Sequence, residues 1–201
     1  MLKYLVPPFI VLFLFGFSFD LSDKTLLAEN KEADFKLYSK LNSEGDMYEG
    51  FYIEYKGRQC FFDYKNVTNP SFYPEVVYDD ISGDGKKDLV VINTLGHGTG
   101  ISAKEVRVFH EVFFDGEDFL REKLVESPII AVHKSKTYQR LIKQGPVYVG
   151  DDQIYFQVVD HKLTAHVGAR KNQYNIGDFT VTYQFKNDIY QLKSIHYRPS
   201  K

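Results

Sequence analysis

Leu89-Val90-Val91-Ile92 is the stretch that most restricts how this chain can fold. Four consecutive apolar positions without alternation are expected of a strand covered on both faces. Strand signals recur on either side of it. "YEGFYIEY" and "RQCFFDY" flank Lys56-Gly57 and read as a hairpin, with Gly57 supplying the permissive backbone. "EVVYDDI" is a short strand ahead of an aspartate loop, and "KEVRVFHEVFF" is another that places Val106 and Val108 on one face. "VYVG", "QIYFQVVD" and "KLTAHVG" follow. The closing "FTVTYQF-KND-IYQLKSIHY" alternates Phe179, Val181, Tyr183 and Phe185 with Thr180, Thr182 and Gln184, so one face is buried and one wet. The 15 tyrosines and 17 phenylalanines push the same way, because aromatic residues suit strands.

Helix is scarcer. "DGEDFLREKLVES" is expected to form about three turns, with acidic residues at its start. "SKTYQRLIKQG" spaces Tyr138, Leu141 and Ile142 along one stripe, begins at a capping Ser135 and stops at Gly145. The fold class that follows is mainly β, a β-rich α+β arrangement of antiparallel sheets with one or two short helices.

At the amino terminus, "MLKYLVPPFIVLFLFGFSF" has one cation, Lys3, followed by an apolar run over residues 5–15. The run is short for a bilayer span, contains Pro7 and Pro8, and fits a signal-peptide core. Small residues at Gly16 and Ser18 offer one cleavage position and Ala28 a second; an uncleaved anchor stays open. Residues 1–28 are therefore read as a signal peptide or membrane anchor, 29–34 as a linker and 35–201 as one β-rich domain. Export to the cell envelope or beyond is the expected localisation, with membrane contact only through this segment. A net charge of −2 declares no basic face, so nucleic acid is not an expected partner. Cys60 has no second cysteine to pair with, and "RQCFFDY" points to a buried, inert thiol.

The loop "DDISGDGKKD" carries the chemistry. Numbered from Asp80, it sets Asp80, Ser82, Asp84, Lys86 and Asp88 at positions one, three, five, seven and nine. Alternate residues of a curled loop turn their oxygens inward, so three carboxylates and a hydroxyl meet, and the Lys86 carbonyl completes the set. Such a shell suits a hard cation with many oxygen ligands, calcium above magnesium. Gly85 permits the sharp reversal. An EF-hand would need a bidentate Glu at position twelve, where this chain has Val91 inside a strand. The bland alternative is an unmetallated turn whose acids are neutralised by Lys86 and Lys87.

These residues resemble the D-x-[DNS]-x-D-G-x-x-D calcium loop of FG-GAP/VCBS-type repeats, with "DISGDGKKDLVV" as the matching run. The wider "DISGDGKKDLVVINTLGHGTG" resembles uncharacterised exported proteins of spore-forming bacteria, in which a glycine-rich turn follows the same strand. The resemblance implies a structural calcium ion held by a strand-loop-strand. Ser82 stands where an acid or amide is usual, which weakens affinity. The loop occurs once, so a propeller of repeated blades is not implied.

No other motif reaches this specificity. "GHGTG" at residues 96–100 lacks the Lys-[Ser/Thr] of a phosphate loop and reads as a hairpin turn, leaving His97 and Thr99 as candidates to face a ligand. His97, His110, His133, His161, His166 and His196 stand singly, without zinc-enzyme spacing, and His166 and His196 are expected to face solvent. There is no G-x-S-x-G elbow. Tyr48, Tyr52, Tyr55 and Tyr64 are expected in cross-strand packing, with a carbohydrate or peptide platform as the lesser alternative. The expected function is a calcium-stabilised, non-catalytic binding or structural protein of the envelope, its ligand unknown. The competing reading is a secreted hydrolase with its site near residues 80–88 and 96–100. A third is a protein that lends a sheet edge to a partner.

Overall fold

The computed structural model describes residues 19–114 and 117–200. The first 18 residues of the segment read as a leader lie outside them. Strands dominate, as the composition requires. β1 (Thr25–Asn30), β2 (Phe35–Leu41), β3 (Met47–Tyr55) and β4 (Arg58–Val67) form a four-stranded antiparallel meander. An eight-stranded sheet follows: β5 (Glu75–Asp79), β6 (Asp88–Gly98), β7 (Ile101–Phe114), β8 (Glu117–Val125), β9 (Gln153–Val159), β10 (Lys162–Lys171), β11 (Tyr174–Lys186) and β12 (Ile189–Pro199). Two short helices, α1 (Pro128–Lys134) and α2 (Lys136–Ile142), sit between β8 and β9.

The larger sheet closes on itself. Its order is β5-β6-β7-β8-β12-β11-β10-β9, and β9 returns to pair with β7. Ser102 and Ala103 of β7 pair with β6 along one edge and with Gln153 and Ile154 of β9 along the other. Further along that second edge, residues 108–114 of β7 pair with β8. The length of β7 is what lets one strand serve both joints. The seams at β7–β9 and β8–β12 are short and parallel, whereas every other pairing in the sheet is antiparallel. Six strands thus make a barrel, and β5 and β6 extend from its wall.

β6 is covered on both faces. Val90 and Ile92 join the barrel core with Val106, Val108, Phe179, Val181 and the helix residue Val132. Leu89 and Val91 turn the other way and join a second core, with Phe35, Leu37, Phe51, Ile53 and Tyr55 of the meander. The two cores are separate clusters with β6 between them. Tyr48, Phe51 and Tyr55 are buried in the meander as cross-strand packing requires, and burial pushes the Cys60 thiol up to about 12.

Turn chemistry follows the residue types. Lys56-Gly57, Asp160-His161, Asn172-Gln173 and Asn187-Asp188 each place two consecutive residues at positive φ, the geometry that matches the twist of a two-residue hairpin. Thr99-Gly100 closes the β6–β7 hairpin, so the glycine-rich segment is a turn.

Two expectations are corrected. The segment around residues 29–34, read as a linker, begins in β1, with Leu27 only 5% exposed. Leu27 and Ala33 are buried on either side of its polar residues, and edge pairing to β2 supplies the order that composition did not suggest. Of the helix expected over residues 115–127, the first two residues lie outside the described ones and Glu117–Val125 form β8 instead. Its helix-favouring Glu, Leu, Arg and Lys are overridden because β7 presents an open edge and takes it as a hairpin partner. The second helix stands as expected, with the Ser135 side chain accepting from the Tyr138 backbone N–H at 3.1 Å. Ahead of it, α1 has its own start signal in Ser127-Pro128.

Among the described residues no helix is long and apolar enough to cross a membrane. Leu89→Ala and Ile92→Ala should each lower stability by about 2–5 kcal/mol in urea titration, since each empties a different core. A silent substitution on either side would mean that face of β6 is not packed.

Candidate functional site

The aspartate loop joins β5 to β6, and Asp79↔Asp88 is the last paired rung before it. The loop curls because its carboxylates accept from its own backbone. Asp80 Oδ1 accepts from Gly83 N at 2.7 Å and from the Ser82 hydroxyl at 3.4 Å, and Oδ2 accepts from Gly85 N at 3.0 Å. Gly83 and Gly85 sit at φ 81° and 87°, conformations that side chains resist. A Cβ at either position would touch nothing, so backbone conformation is the reason for glycine there. Desolvation acts to raise the half-buried Asp80 carboxyl, but these hydrogen bonds outweigh it and hold the group below its usual value.

Asp88 is the buried member, at 2% exposure. Its Oδ2 accepts from Ile81 N at 3.1 Å and Ser82 N at 2.8 Å, which folds the start of the loop back over the start of β6. Beneath it lie two residues that sequence reasoning did not bring into the site. The Tyr190 hydroxyl, from β12, stands 3.4 Å from Asp88 Oδ2, and His110 Nε2, from β7, stands 3.3 Å from Oδ1. His110 and Tyr190 also meet each other at 2.8 Å. The only sequence signal for His110 was a polar residue in the middle of an apolar strand.

Burial dominates the electrostatics of this cluster. It pushes the Asp88 carboxyl up to about 6 and the His110 imidazole down to about 4, the latter helped by the nearby Lys123 charge. The 3.3 Å contact is therefore not a stable ion pair, because the imidazole is neutral over the range in which the carboxyl ionises. Lys123 itself is buried to 6% exposure, bonded to Asp188 and placed over the Phe185 ring.

Asp84 is exposed and accepts from Lys86 N at 2.8 Å, yet its charge adds to the raising of Asp88 and offsets part of the lowering of His110, so it acts on the same centre. Among the described residues no group of three or more acidic, histidine or cysteine side chains is closed tightly enough to hold a metal ion. Asp80, Ser82 and Asp88 line one curled loop, with Asp84 at its rim. Lys87 bonds Glu32 and lies over the Tyr78 ring, and neither Lys86 nor Lys87 forms an ion pair with Asp80, Asp84 or Asp88. Carboxylates and a hydroxyl are donors of the kind calcium takes, and among the described residues no lysine or arginine forms an ion pair with Asp80, Asp84 or Asp88.

The other candidates are scattered. His97 is exposed and stacked on Phe72 with ring centroids 4.1 Å apart, and Thr99 is exposed in the hairpin turn. The two loops cap opposite ends of β6, roughly 30 Å apart at the rise of an extended strand. Residues 80–88 and 96–100 therefore do not share a site. His161 bonds Asp79 at 2.7 Å from the β9–β10 turn, and Arg170 bonds Asp152. His196 is exposed as expected, but His166 is half-buried between partners. Comparison with known proteins adds no relative to this geometry: no protein-family model, curated protein or solved structure matches the chain.

The pH dependence of the metal-free chain follows from Asp88. Its folded value lies above the unfolded one, so its contribution is fully present below about 3.8 and is lost as pH rises through about 6. His110 works in the opposite sense: its contribution is present above about 6.5 and is lost as pH falls through about 4. In chelator, denaturant titrations at about pH 5 and about pH 7.5 should show a smaller stability loss in Asp88→Asn than in the parent. Asparagine keeps an acceptor for Ile81 and Ser82 without the charge. Equal losses would refute the burial account.

Proposed function

We propose that the chain is an exported, non-catalytic binding or structural protein of the cell envelope whose fold is stabilised by calcium at residues 80–88. The observation that carries the calcium part is Asp88. A carboxylate is buried beneath a loop that holds further acids, and neither loop lysine pairs with it, at the point where β5, β6, β7 and β12 meet. Asp80, Ser82, Asp84, the Lys86 carbonyl and Asp88 would hold the ion. When bound, it would supply the positive charge that burial otherwise leaves missing, and so fasten the β5–β6 hairpin to the barrel.

Export rests on the leader, and the fold bears on where it can be cut. Cleavage after Ser18 would spare β1, and so would retention as an anchor, whereas cleavage after Ala28 would remove buried Leu27 and break the strand. Phe19 is seated on the meander, its ring 5.2 Å from Tyr52. A hydrolase that draws on both loops is disfavoured by the length of β6 between them.

Calcium at about a hundredfold excess over its dissociation constant should raise the melting temperature by about 5–10 °C, and Asp84→Ala should remove most of that rise. A melting curve indifferent to calcium and chelator would end the calcium reading. Mass spectrometry of the exported protein should find an amino terminus at Phe19 or at the intact leader. A terminus at Glu29 would show that β1 is dispensable.

A further inference from the structure

The barrel wall has a second candidate site, remote from the aspartate loop. On β9, β10 and β11 the buried residues Ile154, Phe156, Ala165, Val167, Phe179 and Val181 point inward, so their neighbours form an outer face. Cross-strand register lines up Tyr155, His166 and Thr180 as one row of that face. In the next row Gly168 stands opposite Asp178. Gly168 has no side chain to fill its place, and the wall is dented there. A Cβ added to it would lie 2.4 Å from Gln153 Oε1. The result is a shallow concavity of about 210 Å³, bounded by Gln153, Tyr155, His166, Asp178 and the tip of the β6–β7 hairpin.

We propose that this concavity is a subsite for a neutral sugar ring, one pyranose unit of an oligosaccharide, seated on Tyr155. The Tyr155 ring lies flat on His166, with centroids 4.4 Å apart and planes 4° from parallel, and remains 43% exposed. His166 is fixed in turn: one ring nitrogen meets Gln157 at 2.8 Å and the other meets Thr180 at 3.3 Å. A rigid, half-exposed aromatic plate is what the C–H face of a sugar packs against, at little cost in side-chain entropy. Hydrogen-bonding capacity beside it is unspent. Among the described residues the Asp178 carboxylate has no hydrogen-bond or ion-pair partner, although Arg198 of β12 stands opposite it in the register. The Asn175 side-chain oxygen is used by Gly177 N at 2.7 Å and Ser200 at 3.1 Å, which leaves its amide N–H groups free to donate.

Charge and size narrow the ligand. No lysine or arginine lines the concavity, and the one carboxylate that does, Asp178, repels an anion and accepts from hydroxyl donors, so a neutral ligand is favoured. The volume is below the roughly 300–1,000 Å³ of pockets that enclose drug-sized ligands, and it suits one ring. A second concavity, at Tyr148 and Arg170, lies two residues along the same face of β10 and gives a chain of sugars somewhere to continue.

The inference rests on the binding reading above and supplies its ligand class. The test is calorimetric titration of the calcium-loaded protein with chitotetraose, cellotetraose and maltotetraose in turn, with product analysis of the same samples. At least one should bind, and Tyr155→Ala should weaken it by about tenfold or more, as should Gly168→Ala by filling the dent. Tyr174→Ala, at the exposed β10–β11 turn, should leave affinity unchanged. If Gly168→Ala proves poorly folded, Tyr155→Ala decides alone, because its side chain is on the surface. Absence of binding by all three at about 10 mM, or affinity indifferent to Tyr155→Ala, overturns the subsite and leaves the calcium reading to its own melting experiment. Binding accompanied by shortened oligosaccharides would uphold the subsite and end the non-catalytic reading.

Discussion

Everything in this molecule is arranged around a strand that cannot tolerate water on either side. Leu89 and Val91 need one apolar layer and Val90 and Ile92 need another, so β6 holds the meander against one face and the barrel core against the other. Removing apolar area from water is worth about 25 cal/mol per Å², and β6 draws on that twice over its first five residues. The division into a meander and a closed barrel follows. Neither sheet alone would cover both faces.

The same strand explains the polar cluster. β6 starts at Asp88, where the apolar run has already turned inward, so the carboxylate enters the seam with its backbone and is buried there. Ile81 N and Ser82 N satisfy one oxygen from above, while His110 and Tyr190 meet it from below. Hydrogen bonds ease the burial without cancelling the charge, and the carboxyl shifts upward as a result. A divalent ion in the curled loop is the kind of partner that such a position lacks. On that reading the loop links the β5–β6 extension to the barrel at the end remote from the β6–β7 turn.

The barrel closes at two parallel seams, and closure gives the outer wall its usefulness. With strands β9 to β11 packed inward on Phe179, Val167 and Ala165, their outward residues form a rigid polar surface whose relief is set by which positions lack a side chain. Gly168 makes the dent, and the hairpin tip from β7 bounds it only because β9 pairs with Ser102 and Ala103. The subsite therefore depends on the closure of the sheet, not on any one strand.

Periodicity and turn chemistry by themselves determined a good deal: a mainly β chain, the double-faced burial of β6, the hairpins at Lys56-Gly57 and Asn187-Asp188, the Ser135 helix start, and a curled loop around Asp80. Each is local, readable within a few residues because backbone conformation and side-chain alternation are set there. Local reading failed where pairing decided. Residues 117–125 carry helix-forming side chains but became β8, because the edge of β7 offered hydrogen bonds that an isolated helix could not match. β1 was masked by polar composition for the same reason. The placement of His110 and Tyr190 under Asp88, and of Tyr155 on His166, was decided only by the tertiary structure. These contacts join residues as many as 102 positions apart, and their proximity is fixed by sheet closure, a long-range constraint that leaves no trace in short-range pattern.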